Sequence, residues 1–498
     1  MGYFDTNKQY WDRVSGMEYD SRKIQPGNIY FALPGIHTDG SLYIKDAIER
    51  GALVVVCETN VDTLKYDHKY SDVLFIKVKD VRLAMSSISA AFYDNPSGKL
   101  VCIGVTGTEG KSTTVFLIWQ LLRLLGKKAG FISTVQSSNG SSALDNSEHQ
   151  TTPEATVIHG KLHEMHKNGC NYAVIEASSH GLSHRTGRLA DIKFHAGVMT
   201  NVRHEHLEFH GTWEQYRSDK ANLFRATSGF GVVNADDESA DYFAKALAEG
   251  KPADKAPPCF RFSTESKEAD ASLATIHGVN FEENLPGAFN AGNVLAALIT
   301  VSRLVQMPVE NLVSLVPELK PVKGRMTRIE KGQPFQLVVD YAHTPSSFKT
   351  IFPPIREQLD KANKEDPASP PRRIITVFGS AGERDTEKRP QQGAIAAKYC
   401  DILYITDEDP RGEVPLDICR AIAKGAMAEK KTLIENDNLF LIPDRPAAIR
   451  AAFKQAKEGD IVLLLGKGHE NSIIYKDHTM PYDEISEAEK ALADMGYK

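Results

Sequence analysis

The feature that most restricts this chain is the stretch Val105-Thr106-Gly107-Thr108-Glu109-Gly110-Lys111-Ser112-Thr113-Thr114. An apolar run, Leu100 to Val105, enters it and an amphipathic run, Val115 to Leu125, leaves it. That pattern predicts a buried strand, a glycine-rich turn and the first turn of a helix. Backbone N–H groups at such a turn point outward unpaired and the helix dipole adds partial positive charge, so Gly107, Thr108, Gly110 and Thr113 are placed to cradle phosphate oxygens. Lys111 reaches further along the phosphate chain, and Ser112 is placed to hold Mg²⁺. The commoner loop of this kind has a glycine where this chain has Val105, so the match is to a shorter GTxGKST variant.

At 498 residues the chain has room for about three domains, each with its own core. Hydrophobic residues at 41% and charged residues at 25% fit an ordinary globular protein. A net charge of -6, with basic and acidic residues interspersed, gives no field for nucleic acid. The six cysteines are far apart, show no CxxC or metal spacing and read as reduced core residues, which suits a cytoplasm. No apolar stretch approaches the roughly 18 to 20 residues needed to span a bilayer, and MGYFDTNKQYWDR lacks the apolar region of a signal peptide. A cytoplasmic protein without membrane attachment is expected. Gly2 and Thr6 meet the loose myristoylation pattern, one short enough to arise by chance.

Residues 1–97 alternate short β-rich runs (Asn28 to Leu33, Ala52 to Glu58, Val73 to Val78) with helical patterns, which predicts a small α/β domain closed by the turn cluster Asp94 to Gly98. From 98 to 330 the same alternation predicts a mostly parallel sheet with helices on both faces. One of its strands, Tyr172 to Glu176, ends in an acid followed by Ala177-Ser178-Ser179-His180, and another, Ala196 to Asn201, delivers Arg203-His204-Glu205-His206 through His210. Strand C-terminal ends are where ligands bind in such sheets. HExH does not place two imidazoles on one helical face as HExxH does, so zinc is disfavoured. A hard-ligand Mg²⁺ site of one imidazole with Glu176 suits a phosphate loop better. From 331 to 498, five strands each followed by a helix predict a Rossmann-like third domain, and polar clusters after Asp340, Gly382, Asp407 and Gly466 would gather on one rim of its sheet. No GxGxxG follows any of these strands, so this domain reads as a substrate domain and not a dinucleotide one.

With GTEGKSTT, Thr151-Thr152-Pro153, Glu176-Ala-Ser178-Ser179-His180, Thr200-Asn201 with Glu205-His206-Leu207, LPGAFNAGN, VDYAHTP, GERDTEKRP and GKGHE laid out in this order, the chain resembles the Mur ligases over essentially its whole length. It is most similar to the tripeptide-synthetase branch. The resemblance implies a UDP-sugar domain (1–97), a central ATP-binding domain (98–330) and an amino-acid domain (331–498). It implies an ATP-dependent amide ligase of peptidoglycan precursor synthesis. The γ-phosphate passes to the D-glutamate carboxylate of UDP-MurNAc-L-Ala-D-Glu, and the amine of a diamino acid attacks the acyl phosphate. Only small-molecule substrates are expected as partners, with the chain a monomer.

By the same resemblance, Lys111, Glu176, His206 and a carbamylated Lys220 are the catalytic set, with Ser112 and Glu176 on one Mg²⁺ and Glu176, His206 and Lys220 on another. Asn290 and Asn293 resemble adenine contacts, Asp340 a ribose contact, and Arg325 and His343 phosphate contacts. Ser21 resembles the uridine-site serine, and Thr151, Thr152, Ser178 and Arg188 match positions that hold the nucleotide-sugar peptide. Arg384, Arg389, Asp409, Arg411, Gly466 and Glu470 match the diamino-acid pocket.

Three departures bear on these assignments. Glu109 stands where the family often has Asn. The stretch from His180 to Arg188 is longer than usual, so Arg188 is assigned by counting back from Asn201, with Arg185 as the substitute. Glu408-Asp409-Pro410-Arg411 replaces the Asp-Asn-Pro-Arg of diaminopimelate-adding members. Arg411 suits the distal carboxylate of meso-diaminopimelate through a bidentate pair, whereas Asp409 suits the bare ammonium of lysine or ornithine; the balance leans to diaminopimelate. Another ligase on this scaffold, such as folylpolyglutamate synthetase, is the nearest alternative, opposed by the first domain and Arg411. A non-catalytic nucleotide-binding subunit is opposed by the intact Lys111, Glu176, His206 and Lys220.

Overall fold

The computed structural model describes residues 8–35, 38–67, 70–146, 150–203, 207–281, 285, 287 and 289–498. Two compact units are present, Met1–Ser272 with Ala296–Gln306, and Leu273–Leu295 with Met307–Lys498.

The first unit contains two sheets. β1 (Gly16–Glu18), β2 (Asn28–Phe31), β3 (Val54–Glu58) and β4 (Leu74–Val78) form a parallel sheet in that order. Its inner strands read as continuous apolar runs because both of their faces are covered, one by a cluster around Tyr30 and Val55, the other by one around Phe31 and Val54. Among the described residues the second sheet has nine strands: β5 (Val101–Thr106), β6 (Ala129–Ile132), β7 (Gln136–Ser138), β8 (Leu144–Asp145), β9 (Tyr172–Glu176), β10 (Phe194–Met199), β11 (Thr227–Asn234), β12 (Cys259–Ser263) and β13 (Ala271–Ser272). Their order is β13-β12-β11-β10-β5-β9-β6-β7-β8, parallel except where β7 and β8 add an antiparallel hairpin at one edge. The chain leaves β5 toward β6, returns through β9 beside β5 and continues in β10 on the other flank, so its direction reverses next to the phosphate turn. A Cβ on Gly104, in the middle of β5, would collide with Leu223, so only glycine lets the helix Trp213–Ala226 lie this close to the sheet. That helix carries Lys220.

In the second unit, β14 (Thr327–Ile329), β15 (Gln336–Asp340), β16 (Ile374–Phe378), β17 (Ile402–Ile405), β18 (Leu439–Leu441) and β19 (Ile461–Leu465) form a sheet ordered β14-β15-β19-β16-β17-β18. Only β14 is antiparallel. A hairpin of β20 (Ser472–Ile474) and β21 (Thr479–Pro481) follows β19 before the last helix, Glu484–Asp494. The sheet is covered on both faces by apolar clusters, one around Phe348 and Leu463 and one around Ile449 and Leu464. The expected α/β class with parallel sheets holds. β1, the hairpin of β7 and β8, β14 and the hairpin of β20 and β21 are additions that the alternation did not predict.

One buried ion pair fixes the geometry of this rim. Arg445, fully buried, donates to the carbonyls of Asp407 (3.0 Å) and Leu465 (2.8 Å), just past β17 and at the last residue of β19. Its guanidinium is balanced by Glu484 through two further bonds of 2.9 and 2.6 Å. Arg445→Met is expected to lower unfolding free energy by about 3–5 kcal/mol, because it strands the Glu484 carboxylate and two strand-end carbonyls. Urea denaturation of the two proteins measures it.

Candidate active site

Gly107 and Gly110 take φ of +152° and +80°, and a Cβ on Gly107 would meet the Thr200 hydroxyl and the Asn201 backbone. The residues after β10 brace the loop: Thr108 N–H donates to Asn201 O (2.9 Å), Glu109 N–H to Asn201 Oδ1 (2.9 Å), and Thr200 Oγ1 to Glu109 O (2.6 Å). Thr108 Oγ1 lies 2.9 Å from Tyr216 OH. Lys111 Nζ folds back onto Thr108 O at 2.8 Å, at the N-terminus of the helix Lys111–Leu124. The turn thus has the braced geometry and the adjacent ammonium that suit an anion.

Glu176, the last residue of β9 and 1% exposed, is the hub beside it. Its Oε1 accepts from Ser112 Oγ (3.0 Å), while Oε2 accepts from Ser133 Oγ (2.5 Å) and Thr134 N–H (2.9 Å). A carboxylate held by three donors next to a phosphate loop offers hard oxygen ligands, the donor chemistry that suits Mg²⁺ and not zinc. His206 lies outside the described residues, and among those described no group of three or more His, Cys, Asp or Glu could hold a metal.

Lys220 is 2% exposed, donates to Gly107 O (2.6 Å) and sits 4.5 Å from the centre of the Tyr216 ring. The helix that bears it is tied down next door: Asp219 Oδ2 lies 2.7 Å from His210 Nδ1, and His210 Nε2 lies 3.1 Å from Ser179 Oγ. Burial alone would raise the Asp219 carboxyl, but its bonds with His210 and Gln215 hold it below the ordinary range.

Lys111, Thr152, Ser178, Ser179, Arg188 and Lys220 line one cleft of about 310 Å³, together with Gln150, Thr151, His180 and Tyr216. Thr152 organises its floor, donating to Glu176 O (2.9 Å) and accepting from the N–H and hydroxyl of Ser178, both at 3.0 Å. Arg188 is aimed by Glu154, whose Oε1 accepts from Nε (3.1 Å) and Nη2 (2.8 Å), and by Thr152 O. Arg185 instead stacks on Phe209 and donates to its carbonyl, and is not among the residues that line the cleft. Glu154 gave no signal in the sequence, because its partner lies 34 residues away. Ser21 is nearly buried at the start of a short turn capped by Asp20.

In the second unit the four polar clusters do meet at the C-terminal ends of β15, β19, β16 and β17. Lys467, fully buried, donates to Asp409 Oδ1 (2.9 Å) and Glu470 Oε2 (2.5 Å). Asp409 Oδ1 also accepts from Ile474 N–H, and its Oδ2 is 3.9 Å from Arg411. Tyr341 OH donates to Glu470 Oε1 (3.2 Å). Burial pushes the Asp407 carboxyl up to about 6 beside the Tyr475 hydroxyl. Arg389 is turned into a bidentate pair with Glu413 (both 2.8 Å) and onto Ala381 O. Arg384 is exposed on the loop after β16. Asp340 spends both oxygens on the N–H groups of Met326 and Ala342, and burial raises its carboxyl. Arg325 lies over the Tyr341 ring, His343 Nδ1 meets Tyr341 O, and Asn293 donates to Asn290.

A braced glycine turn beside a buried acid, on a parallel sheet, is an arrangement suited to the phosphates of a nucleotide. The comparisons are specific about the family. The Mur ligase family catalytic domain is matched by residues 13–93, the Mur ligase middle domain by 105–301 and the Mur ligase glutamate ligase domain by 324–468. The UDP-N-acetylmuramyl-tripeptide synthetase of Treponema denticola is 47% identical over 522 residues, covering 96% of this chain and 94% of that one. That of Treponema pallidum is 45% identical, covering 96% and 93%. A solved UDP-N-acetylmuramoyl-L-alanyl-D-glutamate–2,6-diaminopimelate ligase is 28% identical with a TM-score of 0.58, covering 97% of this chain and 95% of its own. The chain belongs to the Mur ligase family and is a ligase. Among the described residues no helix is long and apolar enough to cross a membrane.

Proposed function

We propose that this chain is the ATP-dependent ligase that joins a diamino acid to UDP-MurNAc-L-Ala-D-Glu in the cytoplasm, as a monomer, during peptidoglycan precursor synthesis. The observation that carries this is the cleft in which Lys111, Lys220, Thr152, Ser178 and Arg188 face one space beside the Glu176 hub. It joins a phosphate cradle to polar groups suited to an anionic peptide. Residues 1–97 take the UDP-sugar through Ser21, 98–330 the phosphates and the dipeptide, and 331–498 the amino acid. Arg188, preferred to Arg185 because it lines the cleft, receives a substrate carboxylate with Thr151, Thr152 and Ser178.

Gly107, Thr108, Gly110, Ser112 and Thr113 hold the phosphates, and Lys111 neutralises the transferring phosphoryl group as a D-glutamate carboxylate oxygen attacks it and ADP leaves. The amine then attacks the acyl carbon, phosphate departs and one proton is lost. Ser112, Glu176, His206 and Lys220 as its carbamate would hold Mg²⁺, which supplies charge neutralisation at the phosphates. Asn290, Asn293, Arg325, Asp340 and His343 serve the nucleotide. Arg384, Asp409, Arg411, Gly466 and Glu470 serve the amino acid, with Arg389 supporting that rim through Glu413.

The engagement of Asp409 by Lys467 favours diaminopimelate. The Asp409 oxygen that faces Lys467 already accepts from that ammonium and from Ile474 N–H, which leaves it little room for a second ammonium, whereas Arg411 remains suited to a distal carboxylate. Mass spectrometry of the product formed with ATP, UDP-MurNAc-L-Ala-D-Glu and meso-diaminopimelate, L-lysine or L-ornithine in parallel tests this. The diaminopimelate adduct is expected to dominate; a lysine or ornithine adduct would reverse the specificity, and no adduct would refute the ligase reading.

A further inference from the structure

Glu154, at the N-terminus of the helix Ala155–Lys167 and 6% exposed, aims Arg188 with one oxygen, Oε1. Its other oxygen, Oε2, is buried with no hydrogen-bond partner among the described residues. A buried acid and a single arginine make a neutral pair, which holds the guanidinium in place but leaves it little charge to offer a carboxylate. The same Oε1 has a second cation within reach: Arg82 Nη1 stands 3.6 Å from it. Two guanidiniums on one carboxylate leave one net positive charge, and Arg188 carries it to the cleft that it lines.

Arg82 comes from outside the central sheet. It lies in the helix Val81–Phe92 of the first domain, and its Nη2 donates to Pro34 O (3.2 Å), a few residues past β2. The stretch that carries Arg188 rests on this same helix. Ser87 Oγ donates to Asp191 Oδ2 (3.0 Å), Asp191 N–H donates to Ser86 Oγ (3.3 Å), and a Cβ on Gly187, whose φ is +62°, would stand 3.0 Å from the Leu83 side chain. One helix thus supplies both the bed on which the Arg188 stretch is laid and a second charge for the acid that aims it.

We infer that Arg82 is a positioning residue for the peptide end of the nucleotide-sugar substrate, acting through Glu154 to leave Arg188 a positive charge that a carboxylate can meet. The inference rests on assigning a substrate carboxylate to Arg188. With Arg82 in place, Glu154 divides its charge between two cations. Without it, Arg188 alone balances a buried acid and binds a carboxylate more weakly. The first domain then does more than hold its own ligand: through one side chain it sets the charge of a site in the central domain.

Steady-state kinetics of the full chain test this. Arg82→Ala is expected to raise the KM for UDP-MurNAc-L-Ala-D-Glu about fivefold or more, with the KM values for ATP and the diamino acid unchanged. Arg82→Gln, which removes the charge and keeps an N–H donor for Pro34 O, replaces it if the alanine variant does not fold. Arg82→Lys keeps the charge and is expected to stay within about twofold of the wild type. Because the effect runs through Glu154, Arg82→Ala made on a Glu154→Gln background is expected to raise that KM no further. An equal rise on both backgrounds makes Arg82 act elsewhere, through Pro34, and overturns the inference. An unchanged KM in Arg82→Ala, beside a raised one in Arg188→Ala, overturns it as well. An unchanged KM in Arg188→Ala instead overturns the assignment of the carboxylate. A lowered urea midpoint with all three KM values moving together makes Arg82 structural and also overturns the inference.

Discussion

Lys111→Ala is expected to lower ATP-dependent phosphate release by about 10³-fold with UDP-MurNAc-L-Ala-D-Glu and diamino acid present, while the unfolding midpoint stays where it was. The reaction brings a carboxylate up to a triphosphate, two anions that repel, and the cradle has few ways to offset that repulsion. Its backbone N–H groups carry partial charge only, whereas the ammonium of Lys111 is a full charge held at the mouth of the loop. The hydrogen bond it makes in the structure is to Thr108 O in its own turn (2.8 Å), so truncation removes no link between elements. The expected loss therefore falls on turnover and not on folding. Unchanged phosphate release in a coupled assay would remove Lys111 from the chemistry.

Lys220→Ala is expected to be nearly as severe, on the order of 10²- to 10³-fold, and to differ in being partly restored by added short carboxylic acids. A buried lysine within 2.6 Å of the Gly107 carbonyl stands at the base of the phosphate cradle. On the proposed carbamylation the ammonium first loses one proton, and the free amine adds to CO₂ with loss of a second, so that a cation would become an anionic oxygen ligand at the same place. Formate or acetate can occupy the volume left by the side chain and present the same kind of oxygen. Activity in Lys220→Ala equal to wild type without added acid would refute the carbamate role. A loss that no acid restores would make Lys220 a cation acting on the loop alone.

These two lysines also show what a sequence does and does not disclose. Lys111 was legible from its local frame, because strand, glycines, lysine and serine fall within one short stretch whose turn geometry only glycine permits. The same holds for Glu176 and the polar clusters after β15, β16, β17 and β19, since a strand buried on both faces reads as a continuous apolar run with a sharp polar end. Lys220 had no such frame; without the family resemblance it reads as a solvated helix residue, and its burial at the loop follows from Gly104 admitting Leu223 and from the His210–Asp219 contact, which the fold alone reveals. Partners distant in the chain were equally hidden. Lys467 neutralises Asp409 from 58 residues away and Glu484 meets Arg445 from 39, and no periodicity records either pairing. The small antiparallel additions escaped notice because strands of two or three residues carry too little pattern.

An acyl phosphate formed at the Lys111 cradle would carry one substrate oxygen into the released phosphate, and the fate of that atom is the most direct test of the proposed reaction. UDP-MurNAc-L-Ala-D-Glu labelled with heavy oxygen in its D-glutamyl carboxylates is turned over with unlabelled ATP, water and diamino acid, and the released phosphate is examined by mass spectrometry. Transfer of the phosphoryl group to the carboxylate, followed by attack of the amine on the acyl carbon, leaves one labelled oxygen in each phosphate. Tripeptide formed with label-free phosphate would contradict the mechanism.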